Sequence, residues 1–485
     1  MAYFHGVYNS EIDTSLTAPI QGSAALQVIF GTAPIHLSDD PAAAVNKPML
    51  CYSFKECQQN VGYSDNFEDF TLCQSIDACF RVFNVAPIIL VNVLDPRKSA
   101  HVKENAAEDC AVVDGQIIYT KPYVLRDTLE IKDGDTVLER DTDYVAQHDN
   151  DGNVLITLLS PTAVAAATLS VASKSLNPAG VTRADVVGGV DALTGNETGM
   201  ELVRHIYPKL GMVPGLLLAP GWSQDAVVAA ALQAKTEAIN GVFVCNCVLD
   251  IAADDTGATK YTDVKTAKEK MGATSNHAAV LWPMVAVGDK KYYFSAMFAA
   301  LTAYTDASNA DVPYESPSNK DMRITSTVLA DGTEVVLDQQ QANDVLNANG
   351  IITAINANGF KSWGNSTAAY PSTTDPKDRW FAVRRFFDWD GNNFIRTYFQ
   401  KVDKPGNKRL IQSIVDSQNI VGNGYVARDY CAGYRVEFLA SENPATNLLN
   451  GHLTVHTFLA PYIPAEYIEN IREYDVAALE SALTS

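Results

Sequence analysis

The chain has 485 residues, too many for one compact core and enough for roughly two to four domains. Hydrophobic residues make up 47% and charged residues 19%, a globular composition that excludes disorder over most of the length. The formal net charge of −21, with a pI near 4.7, argues against a nucleic-acid binder and against docking on anionic lipid, and favours a partner with a basic surface.

No apolar run reaches the roughly 18 residues of a membrane span. The longest, "AAVLWPMVAV" at 278–287, suits a buried strand. The opening "MAYFHGVYNSEI" lacks the basic start and long apolar stretch of a signal peptide. Eight cysteines are scattered without the paired spacing of a zinc site. They read as reduced, buried thiols of a protein made in a cytoplasm.

In chain order, residues 1–22 read as an extended arm. "AALQVIF" is a strand closed by Gly31 and Pro34. "FEDFTLCQSIDACFRVFN" has apolar residues at helical spacing, and "APIILVNVLD" is a strand buried on both faces. The texture changes near Asp95–Pro96. From about 110 to 175 come short strands, "QIIYTKPYVL", "TLEIKDGDTVL", "DYVAQHDNDGNVLITLL" and "ATLSVASKS", with "KDGD" and "NDGN" as hairpin turns. This reads as an all-β module inserted into a different fold.

From about 185 strands and helices alternate. "GLLLAPG" is a strand and "SQDAVVAAALQAKTEAI" a helix with Ser223 as N-cap. "GVFVCNCVLD" is a strand, "TDVKTAKEKMG" a helix stopped by Gly272, "HAAVLWPMVAV" a strand and "FSAMFAALTAYTD" an apolar helix. Such alternation predicts a mostly parallel sheet flanked by helices, shared by the segments on either side of the module. Further on, "DRWFAVRRFFDWDGNNFIRTYFQ" and "NKRLIQSIVDSQNIV" read as helices, and "GYRVEFL" and "HLTVHTFLA" as strands.

The chemical motifs are weak. "GGVDALTGNETG" lacks the lysine of a P-loop and the spacing of a dinucleotide fingerprint, so it reads as a flexible turn. "HDNDGN" places Asp149 and Asp151 at calcium-loop spacing without a closing glutamate, and reads as a hairpin turn. Cys245 and Cys247 face one side of a strand and read as buried packing. His452 and His456 have no companion carboxylate cluster and read as structural or exposed. No catalytic, cofactor-binding or metal-ligating residue is assigned. Arg384 and Arg385 read either as a helix face paired with Asp388 and Asp390, or as an inter-subunit contact.

The two ends stand out. The start holds Tyr3, Phe4, Val7 and Tyr8, and "APYIPAEYIENIREYDVAAL" at 460–479 holds Tyr462, Ile463, Tyr467, Ile468, Ile471, Tyr474 and Val476. Chain ends are ordinarily polar and frayed. These ends, together with "LVRHIYPKLGMVPGLLLAPGWSQDAVVAAAL", "DVPYESPSNK" and "VLNANGIITAINANGFKSWGNST", resemble a contractile-tail sheath protein. The resemblance spans the core but not the module. Asn365 departs from it, because many relatives place Ala-Arg after the Trp-Gly turn, and Tyr314 replaces the more usual Trp.

The resemblance implies a fold of five parts: an N-terminal arm (1–22), a discontinuous α/β core (23–97 and 185–365), a β-rich outer module (98–184), an α+β inner domain (366–462) and a C-terminal arm (463–485). It implies arms that pair with sheets of neighbouring subunits through Tyr3, Val7, Tyr8, Ile12, Tyr467, Ile468, Ile471, Tyr474 and Val476, with Arg384 and Arg385 as candidate subunit or tube contacts. Residues 468–476 fit helical spacing as well as alternation, and the resemblance favours a strand. The implied role is a non-enzymatic sheath subunit that contracts without a cofactor. Its implied partners are itself, an inner tail tube, a baseplate and a tail terminator, with no nucleic acid and no membrane insertion. It would be made in a bacterial host cytoplasm and assembled in a tail. The competing reading is an α/β enzyme binding a nucleotide or sugar at its strand ends under a β-rich lid.

Overall fold

A computed structural model of the chain describes residues 20–149 and 152–484. Tyr3, Val7, Tyr8, Ile12 and Asp151 lie outside the described residues.

A six-stranded sheet organises the molecule. Its order is Ala278–Leu281, Asn246–Asp250, Leu216–Leu218, Gln27–Gly31, Ile88–Asn92, Met49–Cys51. The first five run parallel and the last is antiparallel at the edge. Ile88–Asn92 and Asn246–Asp250 are buried along their whole length, the expected state of strands covered on both faces. The helices Leu72–Asp77, Ala226–Ala234, Val264–Met271 and Phe294–Ser308 flank it. Gly272 closes Val264–Met271 in the left-handed conformation, at φ 69°.

Three local expectations are corrected. The run 277–287 is two strands, because Pro283 cannot donate to a ladder. Ala278–Leu281 joins the central sheet, while Met284–Val287 joins Lys290–Tyr292 and Ser326–Val328 in an antiparallel one. The N-cap of Ala226–Ala234 is Asp225, whose carboxylate accepts the Val227 N–H at 2.8 Å. Ser223 is buried instead and bonds Asp250. Lastly, the polar stretch Val102–Ala111, not anticipated as a strand, pairs along Thr168–Leu176. Most of its side chains are exposed, so it carries no apolar alternation to read.

Between Ile88–Asn92 and Leu216–Leu218 the chain leaves the central sheet. Val102–Ala111, Thr168–Leu176, Glu130–Asp133 and Thr136–Val137 form one antiparallel sheet; Tyr144–His148, Val154–Leu158 and Gln116–Tyr119 form another. They enclose a separate apolar cluster that includes Ile117, Tyr119, Val154, Ile156 and Val171. Asp149 serves the hairpin turn, accepting the Asn153 N–H at 2.8 Å. At the base, the Asn177 N–H donates to the His101 carbonyl at 2.8 Å, and Gly180 lies against the Ala100 carbonyl where no Cβ would fit.

Towards the C-terminus, the helices Phe381–Tyr398 and Lys408–Ala427 precede a hairpin of Cys431–Glu437 and His456–Pro461. Lys408–Ala427 buries only Gln418 and Gly422 of its 20 residues. Gly422 is there because Tyr434 crosses the helix at that point; an added Cβ would stand 1.9 Å from the ring. Tyr434 also donates to Asp390 at 3.0 Å and accepts from Gln418, and burial pushes the Asp390 carboxyl up to about 6. Gly422→Val should push the helix off the hairpin at a cost of about 1–3 kcal/mol. Hydrogen exchange should rise across 408–437 while the central strands stay protected; equal loosening of both would refute this local account.

Candidate functional site: the roots of the chain ends and an open sheet edge

The described chain begins tied down. Ile20–Gln21 runs parallel to Val85–Ala86, and the Gly22 N–H donates to the Ala86 carbonyl at 3.0 Å. The Asp311 carboxylate accepts the N–H groups of Ser23 and Ala24, each at 2.8 Å, and the Ser23 hydroxyl at 2.7 Å. Bonds to a charged acceptor are the stronger kind, at about 1.5–3 kcal/mol each. Gly22 permits the approach, since a Cβ there would meet the Ala307 side chain at 2.9 Å.

Among the described residues, the C-terminal segment beyond the hairpin is tied down through Glu466. Glu466 pairs with Arg379 at 3.1 Å and accepts from Asn365 at 3.4 Å. The Arg379 guanidinium lies 4.1 Å above Trp380 and 4.6 Å from the Tyr370 ring centre. A half-exposed ion pair contributes about 0–1 kcal/mol and each aromatic contact about 0.5–1 kcal/mol. The root is therefore directional but weak. Beyond it, Tyr467, Ile468, Ile471 and Tyr474 are 71–86% exposed, and Val476 is 56% exposed.

In the single chain the expected strand is not formed. Residues 462–475 have no regular structure, and Val476–Thr484 is a helix. A lone extended segment has no ladder to satisfy its backbone, so it stays irregular. "VAALESAL" has strong helix propensity, and the Asp475 carboxylate caps it through the Ala478 N–H at 2.9 Å. Tyr467 and Ile468 lie with Trp363, Asn365 and Arg379 around a cleft of about 570 Å³; Ile471, Tyr474 and Val476 do not line it.

The hairpin Cys431–Glu437/His456–Pro461 contains only two strands. Asn419 blocks the outer edge of the first, with its side-chain amide bonded to both the N–H (2.8 Å) and the carbonyl (2.9 Å) of Val436. Among the described residues nothing pairs with the outer edge of His456–Pro461. An open edge of this kind is a template for another strand. His456 packs against Phe458 and bonds Glu442 at 2.7 Å; His452 is exposed.

The arginine pair divides. Arg384 bonds Asp388 and Asp378, as a helix-face residue would. Arg385 is corrected as a contact candidate: it forms a bidentate pair with Asp306 of Phe294–Ser308, and both side chains are 2% exposed. Its charge is engaged inside the subunit. Asp390, the other expected partner, takes Tyr434 instead.

An α/β enzyme would act at the carboxyl ends of the parallel strands, and at one of them the polar group is already engaged inside the fold. Asp250 ends its strand buried, accepting the Ser295 N–H at 2.7 Å and both the Ser295 and Ser223 hydroxyls. A cavity of about 270 Å³ lies instead at the opposite strand ends, beside Gly215 and Asn246. Cys245 and Cys247 are buried free thiols, and no cluster of metal-ligating side chains exists among the described residues.

Sequence reading passed over the residues that fasten the ends. Glu466 stood within the "PAE" that carried the resemblance, without a role. Asp311 had no signal, since its partners lie nearly 290 positions away.

No family model matches the chain. It is 27% identical over 466 residues to the tail sheath protein of Burkholderia phage BcepMu, covering 94% of this chain and 93% of that one. Two cryo-EM structures share its fold at 15% identity. One is a chain of the anti-feeding prophage baseplate, with a TM-score of 0.59, 98% of this chain and 100% of that one covered. The other is the contracted sheath complex of an extracellular contractile injection system, with a TM-score of 0.57 and 99% of each chain covered.

Two outcomes test the internal chemistry. Removing one partner of a buried pair costs about 3–5 kcal/mol. Arg385→Met should therefore lower the melting temperature of the isolated chain, and adding Asp306→Leu should recover most of the loss; an unchanged melt would place Arg385 at a surface. Burial pushes the Asp250 carboxyl up to about 6, from 3.8 in an open chain. The folded protein thus keeps a proton that the unfolded chain releases. This stabilisation is complete below about pH 4 and is lost as pH rises through 6, about 3 kcal/mol in all. Relative to wild type, Asp250→Asn should gain stability across pH 4–6 in denaturant titrations; a flat difference would refute the buried proton.

Proposed function

We infer, because this chain belongs to the contractile-tail sheath family, that it is a structural subunit which polymerises into a helical sheath around an inner tube and contracts to drive that tube forward. The enzyme reading has no support from the relatives. One observation carries the mechanism: an apolar end segment, exposed over its whole length, leaves a fixed root on a molecule that also presents an unpaired sheet edge. In this reading the segment around Tyr467–Val476 of one subunit, and residues 1–19 through Tyr3, Val7, Tyr8 and Ile12, pair with sheets of neighbours, one arm taking the open edge of His456–Pro461 and the other the new edge that this arm presents. Contacts that do not close on themselves build filaments. Residues 366–462 then face the tube, and the β-rich module faces outward. Further partners are a baseplate and a terminator. Synthesis takes place in a bacterial host, and assembly in the tail.

The magnitudes favour a mesh over tight pairs. Each arm would contribute about four to six backbone hydrogen bonds at about 1 kcal/mol net. Apolar side chains add about 1.5–3 kcal/mol each when fully buried. Ordering costs about 1–2 kcal/mol per residue. The small net gain is repeated at every link, so assembly should respond steeply to changes in the arms. Deleting 1–20 or 464–485 should leave a cooperative melt and native-like circular dichroism, yet yield monomers or small oligomers by sedimentation and no tubes by electron microscopy. Ile471→Asp, Glu466→Lys and Asp311→Ala should weaken assembly in the same direction. Long tubes from truncated chains would refute the arm model; failure to fold would place the ends in the subunit's own core.

A further inference from the structure

Beside its base the β-rich module also touches the core through side chains, from the segment whose Tyr123 carbonyl accepts the Leu176 N–H at 2.9 Å. Tyr123 leads the contact. Its hydroxyl donates to Asp69 at 2.6 Å and accepts from Asn66 at 2.9 Å. Its ring meets Phe70 edge-on at 4.9 Å and His36 at 5.6 Å. Tyr123 is held at φ +57°, a conformation bulky residues avoid. Beside it His148, the last residue of Tyr144–His148, sets its ring edge-on to His36 at 5.4 Å. His36 itself sits in the turn Ile35–Leu37, soon after the central strand Gln27–Gly31, and is 4% exposed. Two imidazoles, one from the core and one from the module, thus face each other in the contact that holds the module down.

We propose that this contact is an acid-released latch, which docks the module on the core when both histidines are neutral and frees it to turn on its base when they are charged. The charged and titratable groups around the pair are Arg126 and Asp149 from the module and Asp69 from the core, with Tyr123 between them. Burial lowers His36 to about 3, with His148 and Arg126 adding to the effect, and His148 is lowered by burial and Arg126. Tyr123 is pushed up to about 12 by burial and Asp69, so it stays protonated throughout. An undocked histidine returns to its ordinary value near 6.5. The docked state is therefore fully favoured above about pH 6.5, and the docking equilibrium falls about tenfold per pH unit for His36 alone down to about pH 3. At pH 5 that is about thirtyfold, and His148 adds in the same direction. Two imidazolium groups beside Arg126 would also repel.

Hydrogen exchange on the full chain, corrected for intrinsic rates, tests this at pH 7.5 and pH 5. Protection should fall at 33–38, 120–126 and 144–148 at pH 5, while Ile88–Asn92 and Asn246–Asp250 keep theirs. The double variant His36→Phe/His148→Phe keeps the rings without the charge and should show no such change. Unchanged protection in wild type, or equal loosening in the variant, would overturn the latch. NMR titration of the wild-type imidazoles gives a second reading that needs no variant. His36 titrating near 6.5 would overturn the proposal; a strongly depressed midpoint that coincides with loss of protection supports it.

Discussion

A parallel pairing between Gln27–Gly31 and Leu216–Leu218 holds the molecule together. These strands stand at the centre of the sheet but far apart in sequence, so everything between 93 and 215 must leave and return to the same place. Such a return has a high entropic cost before it gains anything. It is secured by close backbone approach: the N–H groups of Gly215 and Leu216 both reach the Leu26 carbonyl, and Gly215 lies against Ala24 where a Cβ would collide. The module is closed separately, where the Asn177 N–H meets the His101 carbonyl, and a segment whose two ends are pinned side by side can carry a separate core. The central pairing also fixes the N-terminal root, because residues 20–24 lead directly into Gln27–Gly31.

The second constraint is what the core leaves unburied. The central sheet and its helices are covered on both faces, whereas Lys408–Ala427 hides two residues and residues 465–484 hide none. An apolar tyrosine- and isoleucine-rich end in water is unfavourable unless it has a destination. Backbone groups along 467–475 likewise have no ladder among the described residues. The proposed addition of a strand to an open edge would remove both deficits in one event. That edge exists on the same molecule, at His456–Pro461, and Asn419 seals its alternative. The irregular segment and short terminal helix are what such a sequence does without a neighbour, so the conformation of 468–484 is expected to depend on assembly.

Legibility in the sequence followed burial. Ile88–Asn92 and Asn246–Asp250 could be read because two-sided burial demands an apolar run. Gly272 could be read because a helix stop there needs a left-handed residue. Val102–Ala111 could not, because an exposed edge strand is held by its partner's backbone and not by its own side chains. Ser223 misled because Ser223 and Asp225 are both good caps, and the hydrogen bonds of Asp250 claimed the serine. For the ends, the apolar side chains were legible and their fasteners were not. Asp311 and Arg379 act through contacts 87 to 288 positions away, which no local pattern records. Arg385 shows the converse: an arginine among aromatics looks like a surface contact until Asp306 is found opposite it.

The two roots differ in strength in a way that suits a contracting array. The N-terminal root combines a short parallel ladder with three bonds to one carboxylate, so it resists displacement. The C-terminal root is one half-exposed ion pair and an amide contact, braced by two aromatic rings. A subunit moving relative to its neighbours must keep its links while changing their angles. A firm root would transmit force along the chain end; a weak, directional root would let the other end pivot without breaking the edge pairing proposed beyond it. The acidic charge acts in the same sense, because like-charged subunits approach only where links compel them. The links, rather than general surface attraction, would then determine where each copy sits in both states of the array.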